Sequence, residues 1–136
     1  RVSEERGVIV NFASAVANPV PARCLTYGPT KTAVLGITTG AADFLGPFGI
    51  RVVSVSPSAV ASKMMGDRLP YMVSELDAAA IFPRRACEPE EVVHAVMFLI
   101  ENSMMNACDI RPDGAWRTIS NWGGDKDPRA NAPALE

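Results

Sequence analysis

The fold of this chain is decided by residues 50–56, which read Ile-Arg-Val-Val-Ser-Val-Ser. Branched apolar side chains dominate this stretch, and such content is typical of a β-strand. Residues 7–12, Gly-Val-Ile-Val-Asn-Phe, have the short apolar character of a strand buried on both faces of a parallel sheet. Residues 24–45 lie between the two strands and carry small and apolar residues at helical spacing. The resulting βαβ unit predicts an α/β fold with a parallel sheet.

The rest of the chain extends this pattern. Pro57 ends the second strand, and residues 58–82 are rich in Met and Ala, so we expect one or two short helices that form a lid over a ligand or part of the core. Glu88 and Pro89 open a further helix, residues 107–110 form a last short strand, and Asp113 and Gly114 form a turn. Residues 119–136 are rich in Gly, Pro, Asn and Asp, so we expect a disordered tail.

Composition excludes several classes of protein. The chain has 136 residues, 48% of them hydrophobic and 21% charged, with a formal net charge of −2. These values fit one globular domain that is soluble and has no strong attraction to nucleic acid or to an anionic membrane. The sequence has no apolar run of about 18 residues, the length of a membrane span. It begins with Arg1 and not with an initiator Met, so we expect it to be part of a longer chain.

Cysteine and histidine give no sign of a metal site. Cys24, Cys87 and Cys108 are odd in number and form no Cys-x-x-Cys pair, so we expect neither a disulfide framework nor a zinc site. A reducing compartment is favoured, in the cytoplasm or the mitochondrial matrix. His94 is the only histidine and stands in an apolar helical run, which indicates an ordinary helix residue and not a ligand or base.

Tyr27 and Lys31 are the clearest candidate catalytic residues in the sequence. They stand four residues apart at the start of the long helix, a spacing that places both side chains on one face. A neighbouring ammonium favours the phenolate, so the pair is suited to proton transfer. Ser14 follows the first strand, at the end of a parallel sheet that normally faces a ligand, and its hydroxyl is suited to a substrate carbonyl or alcohol. The alternative is an ordinary pair on a helix surface.

Several motifs, taken in their order along the chain, resemble those of the C-terminal half of a short-chain dehydrogenase/reductase. The resemblance covers about residues 7–117. The shared motifs are the first strand with Ser14, Tyr27-x-x-x-Lys31, Gly49-Ile50-Arg51-Val52 leading to Pro57, Pro89-Glu90-Glu91 with Phe98-Leu99, and Asp113-Gly114. Three further segments are most similar to the branch of type-2 3-hydroxyacyl-CoA and hydroxysteroid dehydrogenases: Phe82-Pro83-x-Arg85, Ile100-Glu101-Asn102 and Ile110-Arg111-x-Asp113-Gly114-Ala115. Members of that branch oxidise hydroxyacyl-CoA and some hydroxysteroids with NAD.

The resemblance implies a fold and a site. Residues 1–118 would form the C-terminal part of a Rossmann-like, doubly wound parallel sheet with helices on both faces. Tyr27 would be the general acid/base, Ser14 would orient the substrate oxygen, and Lys31 would bind the ribose hydroxyls of the nicotinamide and favour the phenolate. The cofactor-binding residues implied are Tyr27, Lys31, Pro57, Ser58, Val60 and Ser62. The cofactor would be NAD or NADP, with NAD favoured.

Some features depart from the family pattern. Ser58 stands where the family usually has Gly, so close approach of the backbone to the cofactor is in question. The phosphate-binding turn Thr-Gly-x-x-x-Gly-x-Gly does not occur in the sequence, which implies that the N-terminal, glycine-rich half is missing. Gly36 and Gly40 are spaced for close helix packing, not for phosphate binding. Pro29 lies in the first turn of the long helix, where a proline costs little.

These observations predict an NAD(P)-dependent oxidoreductase that transfers hydride between a nicotinamide and a secondary alcohol or ketone. The substrate would be a small apolar alcohol or ketone, or an acyl compound, and the protein would form a homodimer or homotetramer. Alone, the 136-residue chain would be incomplete, and would fold poorly or bind a partner. The alternative is a truncated, non-catalytic relative that acts as an oligomerisation or interaction module. A third hypothesis is an unrelated binding domain with accidental motifs.

Overall fold

The computed structural model describes residues 4–21 and 24–116. Its strands and helices, in chain order, are β1 (Gly7–Phe12), α1 (Gly28–Leu45), β2 (Ile50–Val55), α2 (Leu69–Ala79), α3 (Pro89–Glu101) and β3 (Asp109–Ile110). Short 3-10 turns cover Ala15–Ala17, Gly46–Phe48 and Gly66–Arg68. The predicted tail at 119–136 lies outside the described residues.

The three strands form one parallel sheet in the order β1-β2-β3. The β1–β2 register runs from Gly7 opposite Ile50 to Phe12 opposite Val55. On the other side of β2, Asp109 of β3 lies opposite Ser54. This arrangement confirms the α/β fold and the parallel βαβ unit.

Strand β2 is the centre of the sheet. Its valines, Val52, Val53 and Val55, are at most 1% exposed. Ser54 on the strand and Ser56 just after it are equally buried, and each donates its hydroxyl hydrogen to Asp109 Oδ1, at 2.6 and 2.8 Å. A buried hydroxyl is costly only without a partner, so the two serines do not weaken the strand.

Helices cover both faces of the sheet. On one face, Val53 and Val55 pack with Val92 and Leu99 of α3. On the other, Asn11 of β1 donates from Nδ2 to Thr38 Oγ1 of α1 at 3.0 Å. Successive strand residues point to opposite faces, so α1 and α3 lie on opposite sides of the sheet, as a doubly wound fold requires.

Helix α1 begins later than the sequence predicts. It starts at Gly28 and not at residue 24, because residues 24–27 form a turn in which the Tyr27 amide donates to Cys24 O at 3.1 Å. Pro29 lies in the first helical turn, where its missing N–H has no helical partner to lose. Tyr27 is therefore the residue that caps the helix, and Lys31 lies one turn inside it.

The prediction of close packing at Gly36 and Gly40 is wrong for the described chain. A Cβ added at either glycine would meet no described atom within 4 Å. Both residues lie on the exposed side of α1, where a glycine gives no packing advantage over alanine.

Helix α3 is fixed at both ends. At its start, the Glu88 amide donates to the Glu91 carboxylate at 2.8 Å as part of a capping box. At its end, the buried Arg51 donates to Leu99 O and Ile100 O, each at 2.8 Å. A cation at a helix C-terminus is favourable, which accounts for an arginine within a buried strand.

The 58–82 region contains one helix, α2, and its apolar residues divide between core and surface. Leu76 is fully buried, and Met65, Leu69 and Met72 pack against the same cluster. The expectation that these apolar residues belong to the core is confirmed for this group, whereas Met64 is 93% exposed. None of the helices in the described ranges is long and apolar enough to cross a bilayer.

Candidate active site

Ser14 lies where β1 leaves the sheet. The pairing of β1 with β2 continues past the strand ends, because Ala13 N donates to Val55 O and Ala15 N to Pro57 O, both at 2.9 Å. Ser14 caps the 3-10 turn Ala15–Ala17, and its Oγ accepts a hydrogen bond from Val16 N at 3.4 Å. Among the described residues it donates its hydroxyl hydrogen to none, so the hydrogen of this half-buried hydroxyl is available for a hydrogen bond.

Tyr27 and Lys31 are brought together at the same edge of the sheet. The Tyr27 side chain is 49% exposed, and Lys31 Nζ lies 5.6 Å from the centre of its ring. Lys31 Nζ donates to Phe12 O at 2.9 Å, two residues before Ser14. This bond ties the first turn of α1 to the carboxyl end of β1, so a phenol and an ammonium stand beside the strand end that Ser14 follows.

The start of α1 packs directly on the turn after Ser14. Gly28 is buried, and a Cβ added there would lie 2.5 Å from Val20 Cγ1 and 3.2 Å from Val16 O. Thr32 Oγ1 donates to Ala17 O at 2.6 Å. These contacts fix the Ser14 turn against the helix that begins one residue after Tyr27. The structure thus places all three predicted catalytic residues in one region.

The predicted nicotinamide-binding segment follows β2. Pro57 O accepts from Ala15 N, and Ser58 N donates to Pro112 O at 3.2 Å. Val60 forms an isolated parallel bridge with Cys87, and Ser62 N donates to Val60 O at 2.8 Å. The segment is thereby attached to the Ser14 turn on one side and to the residues after β3 on the other.

The departure at Ser58 has no conformational cost. Among the described non-glycine residues, only Ala107 and Ala115 have a positive φ. Ser58 therefore does not adopt a backbone conformation that needs a glycine. The residue contributes to the lining of a cavity of about 260 Å³.

This cavity lies between the residues after β3 and the segment before α3. Its lining residues are Ser58, Pro83, Arg85, Cys87, Glu91, Arg111, Pro112, Asp113, Gly114 and Ala115. Ser14, Tyr27 and Lys31 do not line it, so the cavity and the tyrosine site are separate features of the described chain.

The charged side chains of the cavity are paired, Arg85 with Glu91 and Arg111 with Asp113. Arg85 binds both carboxylate oxygens of Glu91, at 2.8 and 2.7 Å. Hydrogen bonds from Arg85, and then from the Glu88 backbone, lower the pKa of Glu91 to about 2. Burial, with a smaller effect of the Glu91 charge, raises the pKa of Cys87 to about 11. The Cys87 thiol is therefore protonated at neutral pH and is not a nucleophile.

Sequence reasoning missed three residues that hold the Ser14 turn, namely Gly28, Thr32 and Arg111, whose Nη2 donates to Ala15 O at 3.1 Å. A threonine in a helix and a glycine beside a tyrosine have many ordinary explanations, so neither carries a sequence signal of its own. Arg111 lies inside the Ile110-Arg111-x-Asp113-Gly114 motif, which pointed to it without indicating its contacts.

Parallel strands with helices on both faces define a doubly wound α/β fold, a class of protein in which ligands bind at the carboxyl edge of the sheet. Ser14, Tyr27 and Lys31 lie at that edge. Residues 1–114 match the family described as enoyl-(acyl carrier protein) reductase. The chain belongs to the short-chain dehydrogenase/reductase family.

Two dehydrogenases illustrate which members of this family the chain is similar to. The 3-hydroxyacyl-CoA dehydrogenase type-2 of Rattus norvegicus is 38% identical over 114 residues, which are 83% of this chain and 43% of that protein. A 3-alpha-(or 20-beta)-hydroxysteroid dehydrogenase of Mycobacterium tuberculosis is 35% identical over 111 residues, 80% of this chain and 40% of that protein. The chain thus spans less than half the length of these relatives.

Solved structures of the same family are similar to this chain in fold. The crystal structure of 3-hydroxyacyl-CoA dehydrogenase type-2 from Mycobacterium avium superposes with a TM-score of 0.74 at 32% identity, over 86% of this chain and 44% of that one. A 3-ketoacyl-(acyl-carrier-protein) reductase from Brucella melitensis, complexed with NADH, gives a TM-score of 0.68 at 27% identity, over 82% and 44%. The recognition of a Rossmann-like fold in the sequence is confirmed.

Proposed function

We propose that this chain supplies the proton-transfer residues and the nicotinamide-side wall of an NAD(P)-dependent oxidoreductase that acts on a secondary alcohol or ketone. The single observation that carries the proposal is the meeting of Tyr27 and Lys31 at the carboxyl end of β1, where Lys31 Nζ is bound to Phe12 O. A half-exposed phenol with an ammonium beside it, next to the turn that carries Ser14, is suited to proton exchange with a bound oxygen.

In the oxidation direction, the Tyr27 phenolate takes the proton from the substrate hydroxyl. Ser14 Oγ donates a hydrogen bond to the same oxygen and fixes its direction, a role that its unused hydroxyl hydrogen allows. A bound nicotinamide supplies the acceptor for the hydride that leaves the carbinol carbon. In the reduction direction, the Tyr27 hydroxyl returns the proton to the carbonyl oxygen.

The segment after β2 fits the carboxamide of a nicotinamide. Within the described residues Val60 N–H donates no hydrogen bond, and the Ser62 hydroxyl has no partner there. A backbone donor and a hydroxyl two residues later match the carbonyl and amino groups of a carboxamide. In this proposal Pro57 and Ser58 place the segment beside the Ser14 turn, and Lys31 reaches the ribose hydroxyls. NAD is the preferred cofactor, because the resemblance to the 3-hydroxyacyl-CoA branch implies it and the similar reductase from Brucella melitensis is complexed with NADH.

The proposed substrate is a 3-hydroxyacyl-CoA or a hydroxysteroid. Two relatives carry these substrates in their names, and the exposed Met64 and Tyr71 lie within residues 58–82, the proposed lid. Apolar side chains at a lid favour an apolar substrate portion. Closure of such a segment would exclude water from the reacting oxygen.

Isotope transfer tests the proposed reaction. The native protein that carries this chain is incubated with NAD or NADP and a 3-hydroxyacyl-CoA or hydroxysteroid deuterated at the carbinol carbon. We expect deuterium in the reduced nicotinamide, because hydride passes directly from that carbon. Nicotinamide reduced without deuterium, or no reduction with either substrate class, contradicts the proposal. Reduction with one cofactor only decides between NAD and NADP.

A second candidate, a non-catalytic oligomerisation module, is favoured by the exposed apolar residues of the chain. Ile37 and Phe44 on α1 are 62% and 71% exposed, and Phe12 on the edge strand β1 is 51% exposed. Such surface is typical of an interface, and we propose a homodimer or homotetramer under either candidate. Nucleotide binding separates the two: the module predicts a defined oligomer that binds no NAD(H), whereas the enzyme binds it in the same assembly.

A further inference from the structure

Arg111 makes contacts that its position after β3 does not explain. Its Nε donates to Asp113 Oδ2 at 2.9 Å. Its two terminal nitrogens reach across the sheet to the turn after β1. There Nη2 donates to Ala15 O at 3.1 Å and Nη1 donates to Asn18 O. The guanidinium thus joins the residues after β3 to the turn after β1.

The carboxylate of Asp113 holds this guanidinium in place. Asp113 is 4% exposed, and its other oxygen, Oδ1, accepts from Ala115 N at 2.9 Å. A carboxylate fixed by a backbone amide presents Arg111 in one orientation, which reduces the entropy that its long side chain loses on binding two carbonyls. The contact is therefore built into the fold and is not a chance surface bond.

Both carbonyls belong to the turn that Ser14 caps. Ala15 directly follows Ser14 and is fully buried, and Asn18 is the residue that ends the 3-10 turn. Thr32 of α1 holds the same turn at Ala17 O. The turn is therefore fixed from two directions, by α1, which carries Lys31, and by Arg111.

We propose that Arg111 is a positioning residue of the active site, which sets the placement of Ser14 relative to Tyr27. This inference rests on the proposed function. Because Gly28 abuts Val16 O, any shift of the turn changes the distance between Ser14 and the tyrosine at the start of α1. A small misplacement of a hydroxyl that orients the substrate oxygen lowers the rate of the chemical step and leaves nicotinamide binding intact.

The variant Arg111→Met removes both bonds to the turn. In the native protein that carries this chain, we expect kcat to fall about tenfold or more, with the KM for the nicotinamide changed less than about twofold. Arg111→Lys keeps the charge next to Asp113 but reaches only one carbonyl, so it restores part of kcat. The matched control is Arg85→Met, which also breaks an arginine–carboxylate pair of the cavity but touches no residue of the turn. It leaves kcat unchanged.

A double-mutant cycle separates positioning from a general loss of stability. If Arg111 acts through Ser14, then Arg111→Met lowers kcat less than about twofold when Ser14 is already alanine. An equal loss on both backgrounds overturns the proposal. If Arg111→Met does not fold, the same cycle with Arg111→Lys decides, since its smaller loss must also vanish with Ser14→Ala.

Hydrogen exchange tests the contact without any turnover. The amides of Ala15 and Ala17, which donate to Pro57 O and Ser14 O, report on the turn. We expect both to exchange about tenfold faster or more in Arg111→Met and to stay unchanged in Arg85→Met. Unchanged exchange in Arg111→Met overturns the proposal. The proposed function fails by a different result, namely turnover that survives Tyr27→Phe.

Discussion

Lys31 Nζ donates a hydrogen bond to the backbone oxygen of Phe12 at 2.9 Å. The bond closes the βαβ unit at its carboxyl edge, because it joins the first turn of α1 to the end of β1. A lysine that served only the cofactor would not need this contact. Lys31 therefore has two proposed tasks, to hold the helix on the strand and to present its charge beside the Tyr27 ring.

The first prediction concerns this bond. Lys31→Met keeps the aliphatic part of the side chain and loses the charged donor, so we expect a loss of about 1 kcal/mol in the free energy of unfolding. Denaturant unfolding of the native protein measures this loss. Lys63→Met is the control, because Lys63 is exposed and no hydrogen bond joins its ammonium to β1 in the part of the chain that the structure describes. Equal stability of the two variants contradicts the structural task of Lys31.

The second prediction uses two glycines of the same helix. Gly28→Ala places a Cβ at 2.5 Å from Val20 Cγ1, so we expect a loss of about 1–3 kcal/mol and a displaced Ser14 turn. Gly36→Ala adds its methyl in open space within a helix, so we expect a gain of about 0.5–1 kcal/mol. Thermal unfolding of both variants gives the comparison. A stabilising Gly28→Ala would show that α1 does not pack on the turn as described.

The third prediction concerns acid stability. Arg85 and the Glu88 backbone lower the pKa of Glu91 to about 2, from an ordinary value of 4.5. The charged form is thus favoured by folding, so the contribution of Glu91 is complete above about pH 4.5 and is lost as the pH falls toward 2. Glu91→Gln lowers stability at neutral pH and flattens the decline over that range. Glu90→Gln, one residue away, is the control, and an unaltered slope in Glu91→Gln contradicts the pairing.

The fourth prediction concerns thiol reactivity. Burial raises the pKa of Cys87 to about 11, so at pH 8 only about one Cys87 in a thousand is a thiolate. We expect alkylation of Cys87 by iodoacetamide to be at least about a hundredfold slower in the folded protein than in denaturant. Mass spectrometry of the peptide that contains Cys87 measures the rate. Comparable rates in the two states would mean that this thiol is not buried as described.

Much of the fold follows from local sequence. Strand β1 is predicted to the residue, because its apolar run is bounded by charged residues before Gly7 and by small residues after Phe12. The start of α3 is predicted by Pro89 and the acidic residues around it. The start of α1 is displaced by four residues, because the turn at 24–27 depends on a contact with Cys24 O and on tertiary packing that periodicity does not record.

The candidate site, like the fold, is only partly predictable from the sequence. Ser14, Tyr27 and Lys31 were found from spacing and from the family resemblance, and the structure brings them to one edge of the sheet. The residues that hold them there were not found, because Thr32 and Arg111 act through backbone carbonyls 15 and 96 residues away. A bond to a carbonyl leaves no trace in the identity of the accepting residue, so sequence alone does not reveal it.

The proposed reaction depends above all on proton transfer by Tyr27. We test it by the turnover of Tyr27→Phe in the native protein that carries this chain, beside Tyr71→Phe, which alters the second tyrosine of the 136 residues. We expect Tyr27→Phe to lower kcat about a hundredfold or more while NAD(H) still binds, and Tyr71→Phe, which keeps the aromatic ring, to retain turnover. Retained turnover in Tyr27→Phe would show that Tyr27 does not transfer the proton.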